Sequence, residues 1–343
     1  MSTKLLCLGD IMLGENLSHY KRGIRSHFDP DYTKLVRPVF SDMVLKEKPD
    51  LIFYNLEYCI TQTEDFLNKS LLENVFKGTP NSLTLFEGNH PIIVSVANNH
   101  FGQHGPEVCR FTKNLLKERN IYITGGSSEP TIVNSNGSTL FFWGVTLVGD
   151  KYDSSEYFKS TYASLLKELN LPKKNQNEHW IISVHWGDEY LNTPSEEQLE
   201  LSKKLIDSGF DLIIGHHSHT LQPVEYYKEK LIIYSLGNFI FDQNFSKRTT
   251  TGLVLNVLLD SHPTISKAFF SRQKDYIIYK LKEVSIKKIL LKKSSINYHF
   301  KKKFLNYWYR ILMKIELIQH FKDIDKETIN YFSNKLGKIL SKF

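Results

Sequence analysis

The sequence predicts an α/β protein whose functional residues gather at the ends of strands. Short apolar runs, such as Leu5–Leu8 and Ile92–Val96, alternate with stretches of helical periodicity over the first 260 residues. Most of these runs lead directly into a cluster of polar residues. With 41% hydrophobic and 24% charged residues, the composition is that of a globular protein with a sizeable core, which excludes global disorder.

The strands and helices follow from these patterns in order. Nine strands are predicted, at Leu5–Leu8, Leu51–Tyr54, Ile92–Val96, Ile121–Ile123, Leu140–Val145, Ile181–Val184, Leu212–Ile214, Leu231–Tyr234 and Leu253–Leu258. Four helices are predicted, at Tyr32–Lys46, Pro106–Glu118, Tyr162–Leu169 and Glu196–Ser208. Ser195 followed by Gln198 has the pattern of a capping box for the last helix. The early alternation of strands and helices favours parallel pairing, and the later consecutive strands favour antiparallel pairing.

Charge divides the chain near residue 260. Residues 1–260 hold 25 basic and 31 acidic side chains, whereas residues 261–343 hold 19 basic and 6 acidic ones. We therefore expect a globular domain over 1–260 and a basic, mostly helical extension over 261–343, with amphipathic helices at Tyr298–Phe321 and Lys326–Lys342. We interpret the extension first as a helical cap on the domain. Binding to an anionic membrane is the alternative, and nucleic-acid binding is disfavoured.

The expected location is cytoplasmic, with peripheral membrane association if the basic extension binds lipid. The longest apolar stretches are far shorter than the roughly 20 residues of a membrane-spanning helix, and the N-terminal run is too short for a signal-peptide core. Cys7, Cys59 and Cys109 form no C-x-x-C pair. This cysteine usage favours a reducing compartment and disfavours a zinc finger.

The polar clusters after the strands carry metal-binding residue types. They are Gly9-Asp10-Ile11-Met12-Leu13-Gly14, Asn55-Leu56-Glu57, Ala97-Asn98-Asn99-His100, His185-Trp186-Gly187-Asp188-Glu189-Tyr190 and Gly215-His216-His217-Ser218-His219. Ligands of open α/β sheets bind beyond the carboxyl ends of strands, so we expect these clusters to converge. Imidazoles and carboxylates together suit zinc, manganese or iron. The last cluster is the strongest single indication of a metal site. For His216 three roles are open: a metal ligand, a residue that supports the ligands, or a packing residue.

Together with Leu221-Gln222-Pro223-Val224-Glu225 and Tyr234-Ser235-Leu236-Gly237-Asn238-Phe239, these motifs resemble the CapA family in residue type and order. That family comprises poly-γ-glutamate capsule biosynthesis proteins with a calcineurin-like metallophosphoesterase fold. The resemblance covers about residues 4–260. It implies a four-layer α/β/β/α sandwich with a site for two divalent metal ions, such as Mn, Fe or Zn.

The resemblance also implies roles for individual residues. Metal ligands would be Asp10, Glu57, Asn99, His185, His217 and His219, and the catalytic pair would be His100 and Asn99. Residues behind the ligands or in the substrate pocket would be His216, Glu189, Glu225, Asn238 and Asp242.

Five positions depart from the expected patterns. Met12 stands where the wider superfamily has a histidine, and Glu57 stands where it usually has a bridging aspartate. Gln103 stands where the family commonly has an aspartate, Ser218 where it has a proline, and Glu15 where it tends to have an arginine.

Three functions are compatible with these residues. The first is a metal-dependent hydrolase, most simply a phosphoesterase linked to capsule, polysaccharide or poly-γ-glutamate synthesis. The second is a metal-dependent hydrolase or ligase component acting on γ-glutamyl amides. The third, favoured by Met12 and Glu57, is a non-catalytic assembly or export partner of a polymer synthase. The expected partners are an anionic polymer or phosphorylated glycan, with a membrane-associated synthase as a further candidate.

Overall fold

A computed structural model describes residues 2–16, 21–36, 39–62, 75–86 and 90–290 of the chain. The predicted helices at Tyr298–Phe321 and Lys326–Lys342 lie outside these residues. The strands are β1 (Thr3–Ile11), β2 (Leu51–Leu56), β3 (Cys59–Ile60), β4 (Lys77–Gly78), β5 (Ile92–Ser95), β6 (Tyr122–Thr124), β7 (Thr131–Ser135), β8 (Ser138–Thr146), β9 (Glu178–His185), β10 (Leu212–His216), β11 (Val224–Tyr227), β12 (Lys230–Ile233), β13 (Asn238–Ile240), β14 (Thr251–Leu259), β15 (Thr264–Lys274) and β16 (Ile277–Glu283). The α-helices are α1 (Ile24–Phe28), α2 (Val39–Glu47), α3 (Pro106–Glu118), α4 (Leu165–Glu168) and α5 (Glu196–Asp207). This mixture confirms the α/β class.

The described strands form two large sheets and one small one. The first sheet has the order β16-β15-β14-β1-β2-β5-β6, with β13 also paired to β1, and the second has the order β11-β12-β10-β9-β8-β7. The strands β1, β2, β5 and β6 pair in parallel, whereas β14, β15 and β16 pair antiparallel. The expected change from parallel to antiparallel pairing is therefore confirmed.

Apolar side chains form three cores on the two large sheets. Between the two sheets, Leu5 and Phe53 of the first sheet share one core with Phe142 and Ile214 of the second. The other face of the first sheet packs against α2 and α3, and the other face of the second sheet packs against α5. The inter-sheet core holds the two sheets together, so loops from both sheets can reach one site.

The first sheet continues beyond residue 260. The strand β15 pairs with β14 through contacts such as Leu255 with Ala268, and β16 pairs with β15 as far as Glu283. The residues directly after the expected boundary are therefore strands of the same sheet rather than helices. Their apolar residues face the core while charged residues alternate with them, as in edge strands with one solvated face.

The helices differ in part from the sequence prediction. The prediction for Pro106–Glu118 is confirmed, whereas the predicted helix Tyr32–Lys46 is confirmed only from Val39, where α2 begins, because Tyr32–Leu35 form a 3₁₀ turn. Pro38 lies between them in the sequence, and proline lacks the N–H that a continuous helix needs. None of the helices in the described part of the chain is long and apolar enough to cross a membrane.

The capping box of α5 gives a test of local stability. Ser195 Oγ accepts a hydrogen bond from the Gln198 N–H at 3.2 Å, and Gln198 Oε1 accepts one from the Ser195 N–H at 2.9 Å. We expect Ser195→Ala to lower the free energy of unfolding by about 1 kcal/mol, because an N-terminal helix donor loses its partner. Urea unfolding would measure this, with the exposed Glu200→Ala as control. Equal midpoints for the two variants would contradict the prediction.

Candidate metal centre

Parallel pairing brings the polar ends of strands from both sheets together. In the first sheet, Asp10 of β1 lies beside Asn55 of β2 and Asn238 of β13. In the second sheet, His185 ends β9 and pairs with His216 at the end of β10. The expected convergence is therefore observed, and its cause is the shared direction of these strands.

Glu57 lies at the centre of the cluster. Its carboxylate is fully buried, and Oε1 has no hydrogen-bond partner among the described residues. Three imidazole nitrogens surround this oxygen: His219 Nε2 at 3.6 Å, and His100 Nε2 and His185 Nε2 each at 3.9 Å. A buried carboxylate oxygen without a donor is costly, so this position calls for a positively charged ligand.

Neighbouring amides orient two of these imidazoles. His219 Nδ1 donates to Asn238 Oδ1 at 2.9 Å, which leaves the Nε2 lone pair facing Glu57. Asn238 is held in turn because its amide nitrogen donates to the Thr249 carbonyl at 3.0 Å. His185 Nε2 lies 2.8 Å from Asn99 Oδ1, so these two predicted ligands adjoin. A hydrogen bond at the nitrogen that does not face the site, as in His219, fixes the tautomer and direction of an imidazole that binds a metal.

Asp10 is held from two sides. Its Oδ1 accepts hydrogen bonds from His216 Nδ1 at 2.8 Å and from the Asn55 amide at 2.9 Å, and its Oδ2 lies 3.6 Å from His219 Nδ1. Burial opposes the charge on Asp10, but His216, His219 and Asn55 together offset it, so the pKa of Asp10 is lowered. His216 therefore lies behind Asp10 and supports it.

His217 is placed by a strained backbone. His217 and His219 both have left-handed φ angles, +87° and +53°, in a region that costs a non-glycine residue about 1–2 kcal/mol. The His217 N–H lies 3.3 Å from Asp10 Oδ2, and its ring centroid lies 4.8 Å from that of His185. The buried Nδ1 has no partner among the described residues. The strain is typical of functional sites and keeps both imidazoles inside the cluster.

His100 lies at the mouth of the cluster. Its Nδ1 donates to Gln103 Oε1 at 3.2 Å, and its ring stacks on Phe76 with centroids 3.7 Å apart. The side chain is 19% exposed, whereas that of His185 is 1% exposed. Gln103 and Phe76 therefore direct Nε2 of His100 into the site from its solvent side.

Burial keeps the imidazoles of His100, His185 and His217 neutral. It lowers the pKa of His217 to about 3 and that of His100 to about 4, with His219 as a further cause in both. The pKa of His185 is well below its usual value, first through burial and then through His217. Neutral imidazole is the form that binds a metal.

The pKa of Glu57 shifts in the opposite direction. Burial raises it well above its usual value, and the negative charges of Asp10 and Glu189 raise it further. Glu189, a predicted pocket residue, is therefore close enough to act on the cluster electrostatically. The protein residues alone leave this carboxylate uncompensated.

The donor set fits a divalent metal ion. Asp10, Glu57 and His185 each offer one ligand atom, and these atoms lie within 4.8 Å of one another. Ligand atoms around one tetrahedral zinc are roughly 3.4 Å apart, from bonds of about 2.0–2.2 Å. The separations of 3.6–3.9 Å around Glu57 Oε1 approach this value. The buried Asp, Glu and His residues therefore form a candidate metal centre.

Two predicted pocket residues have partners of their own. Glu225 is on β11, where its carboxylate accepts a hydrogen bond from Tyr234 Oη at 2.6 Å. The Asp242 carboxylate accepts a hydrogen bond from the Asn16 N–H at 2.6 Å. Their place in a substrate pocket stays a prediction.

Other residues of the site were not predicted. The Asn55 amide bridges Asp10 and Glu57, donating at 2.9 and 3.1 Å, and Gln103 orients His100. Asn55 could have been found, because it precedes Glu57 by two positions at a strand end. Met12 is fully buried in the core between the first sheet and the helices α2 and α3. The side chain at the position where the wider superfamily has a histidine therefore packs with apolar residues.

Comparison with known proteins identifies the family. The family of bacterial capsule synthesis proteins, PGA_cap, matches residues 4–243, and the chain belongs to it. The capsule biosynthesis protein CapA of Bacillus anthracis is 33% identical over 187 residues, covering 50% of this chain and 46% of that protein. The PGA biosynthesis protein CapA of Bacillus subtilis is 26% identical over 260 residues, covering 72% and 65%. The chain thus spans about half to two thirds of the length of these relatives.

A solved structure is also similar. It is described as a novel phosphatase of Mycoplasma pneumoniae, with 12% identity and a TM-score of 0.44, covering 83% of this chain and 93% of that one. A likeness at this level supports no conclusion about activity.

Metal binding by this centre can be tested by removing two imidazoles. We expect wild type to bind Mn²⁺ or Zn²⁺, and His217→Ala/His219→Ala to lose the bound metal, because the ring nitrogens are gone. Elemental analysis would measure the content. Wild-type stability should rise by about 2.7 kcal/mol at a metal concentration 100 times Kd, and the variant should not respond. The exposed His262→Ala is the matched control. Equal metal in all three proteins would contradict the prediction.

Proposed function

We propose that this chain is a metal-dependent hydrolase, most simply a phosphoesterase, that acts in capsule or poly-γ-glutamate synthesis. The observation that carries the proposal is the buried Glu57 carboxylate, whose unpaired oxygen is surrounded by three imidazole nitrogens. The chemistry of this donor set suits a metal ion more than a purely structural network. The relatives from Bacillus anthracis and Bacillus subtilis are named as proteins of capsule and PGA biosynthesis, which supports this context.

The proposed ligands of one or two divalent ions are Asp10, Glu57, Asn99, His185, His217 and His219. When bound, divalent ions polarise phosphoryl or carbonyl oxygens and lower the pKa of water. Asn55 and His216 hold Asp10 in place, and Asn238 holds His219. These supporting hydrogen bonds keep the ligands in position before substrate arrives.

His100 is the proposed catalytic residue that contacts substrate. Its Nδ1 is committed to Gln103, and its Nε2 faces the cluster from the solvent side. A phosphate ester entering there would place an oxygen within reach of Nε2. Because Nδ1 holds the ring proton, the lone pair of Nε2 would first take up a proton from the attacking water and then give it to the leaving oxygen as the P–O bond breaks, while Phe76 keeps the ring plane fixed.

The proposed substrate is an anionic polymer or a phosphorylated glycan, and a membrane-associated synthase is the proposed partner. The proposed location is cytoplasmic and peripheral to the membrane, with nucleic acid disfavoured as a ligand. The same metals would also polarise an amide carbonyl, so a γ-glutamyl hydrolase uses the same residues. Activity assays on both substrate classes distinguish the two reactions.

A second candidate is a non-catalytic assembly or export partner of a polymer synthase. Met12 favours it, because its buried side chain packs in the core at a position where the superfamily has a histidine. This candidate retains the cluster as a structural metal site. It predicts bound metal without turnover.

Replacing His100 separates catalysis from metal binding. We expect His100→Ala to reduce turnover by roughly 10²–10⁴-fold, because the proton-transfer group at the site mouth is lost. Its metal content should stay near the wild-type value, since Asp10, Glu57 and the other imidazoles remain. The measurements are hydrolysis of phosphomonoesters and phosphodiesters, release from poly-γ-glutamate and elemental analysis.

The control is again His262→Ala, which removes an exposed imidazole far along the chain from the site residues. Unchanged turnover in His100→Ala would overturn the assignment of His100. Bound metal in wild type with no turnover on either substrate class would overturn the hydrolase proposal and support the assembly partner.

A further inference from the structure

A groove lined by cationic side chains lies at one end of the first sheet. Two adjoining cavities of about 700 and 510 Å³ share Lys247, Phe270 and Arg272 as lining residues. Together they form the basic groove, which runs from Thr220 to Lys288. We propose that this groove binds an extended polymer of carboxylates and guides it to the metal centre. The inference rests on the proposed function in its choice of polymer and concerns residues outside the metal centre.

Strand pairing builds the floor of the basic groove. Arg272 of β15 pairs with Lys280 of β16, and Phe270 pairs with Lys282. Phe270 packs against the inter-sheet core, so these rows lie on the face of the first sheet that looks toward the second. Side chains two apart on a strand share a face and are roughly 6–7 Å apart. The lysines therefore stand in a row along the edge strand.

The cationic side chains of the groove form no ion pairs among the described residues. The carboxylate of Glu283 and six cationic side chains line the groove. They are Lys247, Arg248, Arg272, Lys280, Lys282 and Lys288. No ion pair involves any of the six within the part of the chain that the structure describes. By contrast, Lys267 of the same sheet pairs with Glu47 at 2.7 Å. A concave strip of one charge sign attracts an extended anion.

Arg272 is fixed in the floor. Its guanidinium donates to Thr251 Oγ1 and lies 3.5 Å from the Lys247 carbonyl through the same nitrogen, Nη1. The other guanidinium nitrogens have no acceptor among the described residues. They remain as donors in the planar arrangement that recognises a carboxylate through two hydrogen bonds. Arg272 is half-buried, so little side-chain freedom is lost on binding.

One end of the basic groove adjoins the metal centre. Thr220, which lines it, directly follows His219 in the chain. The Tyr190 ring lies 6.1 Å from that of His219 and 5.5 Å from that of Phe245, and Phe245 precedes the groove residue Ser246. A chain held in the groove would thus end beside the site.

The shape and charge favour a polymer over the alternatives. A groove of this volume is larger than a single carboxylate or phosphate ion requires, and its row of lysines suits anions repeated along a chain. A bilayer is flat and is usually bound through exposed apolar residues as well as cations, whereas this strip is concave. A capsule polymer made of carboxylates is the extended anion that the proposed function supplies.

Charge reversal in the groove tests the proposal. We expect full-length wild type to bind fluorescent poly-γ-glutamate at low ionic strength, measured by anisotropy. Lys280→Glu/Lys282→Glu should weaken binding by about tenfold or more, because two attractive contacts become repulsive. The control is Lys117→Glu/Lys173→Glu, which changes the net charge equally at exposed sites outside the groove. Its affinity should stay within about twofold of wild type. Thermal unfolding would establish that both variants are folded.

Further measurements distinguish this inference from the proposed function and distinguish poly-γ-glutamate from other anionic ligands. His217→Ala/His219→Ala should bind the polymer as wild type does, even if it has lost metal and turnover. Equal weakening in the groove and control variants, no wild-type binding, or undiminished binding by the folded groove variant would each overturn the proposal. Tighter binding of polyphosphate, single-stranded DNA or phosphatidylglycerol vesicles than of poly-γ-glutamate would also overturn it.

Discussion

The carboxylate of Glu57 sets the conditions that the rest of the site must meet. It is fully buried, one of its oxygens lacks a hydrogen-bond donor among the described residues, and Asp10 adds a second buried carboxylate nearby. Removing such a group from water costs several kcal/mol unless a positive charge compensates it. Burial lowers the pKa values of His100 and His185, so these two imidazoles are neutral and cannot provide that charge. They can instead share a metal cation with Glu57, which is how we interpret the cluster.

The fold supplies this arrangement by directing strand ends from two sheets toward one point. The inter-sheet core fixes the distance between β1 and β10, and the left-handed residues His217 and His219 turn the chain back at that point. The backbone strain there is maintained by the well-packed strands on either side. The same first sheet, extended by β15 and β16, carries the basic groove. The metal centre and the proposed polymer path therefore depend on one continuous sheet.

Much of the site could be predicted from the sequence because strand ends are visible in it. An apolar run followed by Asp10 or His185 places the polar residue at the carboxyl end of a strand. Parallel pairing then brings the carboxyl ends of neighbouring strands to the same edge of the sheet. Asn55 was missed although its position at a strand end indicates it, whereas the role of the Gln103 amide is visible only when its neighbours in space are known. The strand β16 was missed because its lysines interrupt the apolar pattern. Glu225 lies on β11 beside Tyr234, and its predicted role in the pocket stays a prediction.

The most direct test of this account is anomalous X-ray scattering from crystals of the full chain soaked with Mn²⁺. The account predicts a peak within bonding distance of Glu57 Oε1, between the imidazoles of His185 and His219. A second peak near Asp10 would indicate a two-metal site. A well-ordered site without any peak at Glu57, or manganese bound only to surface carboxylates, would contradict the claim that this cluster is a metal centre.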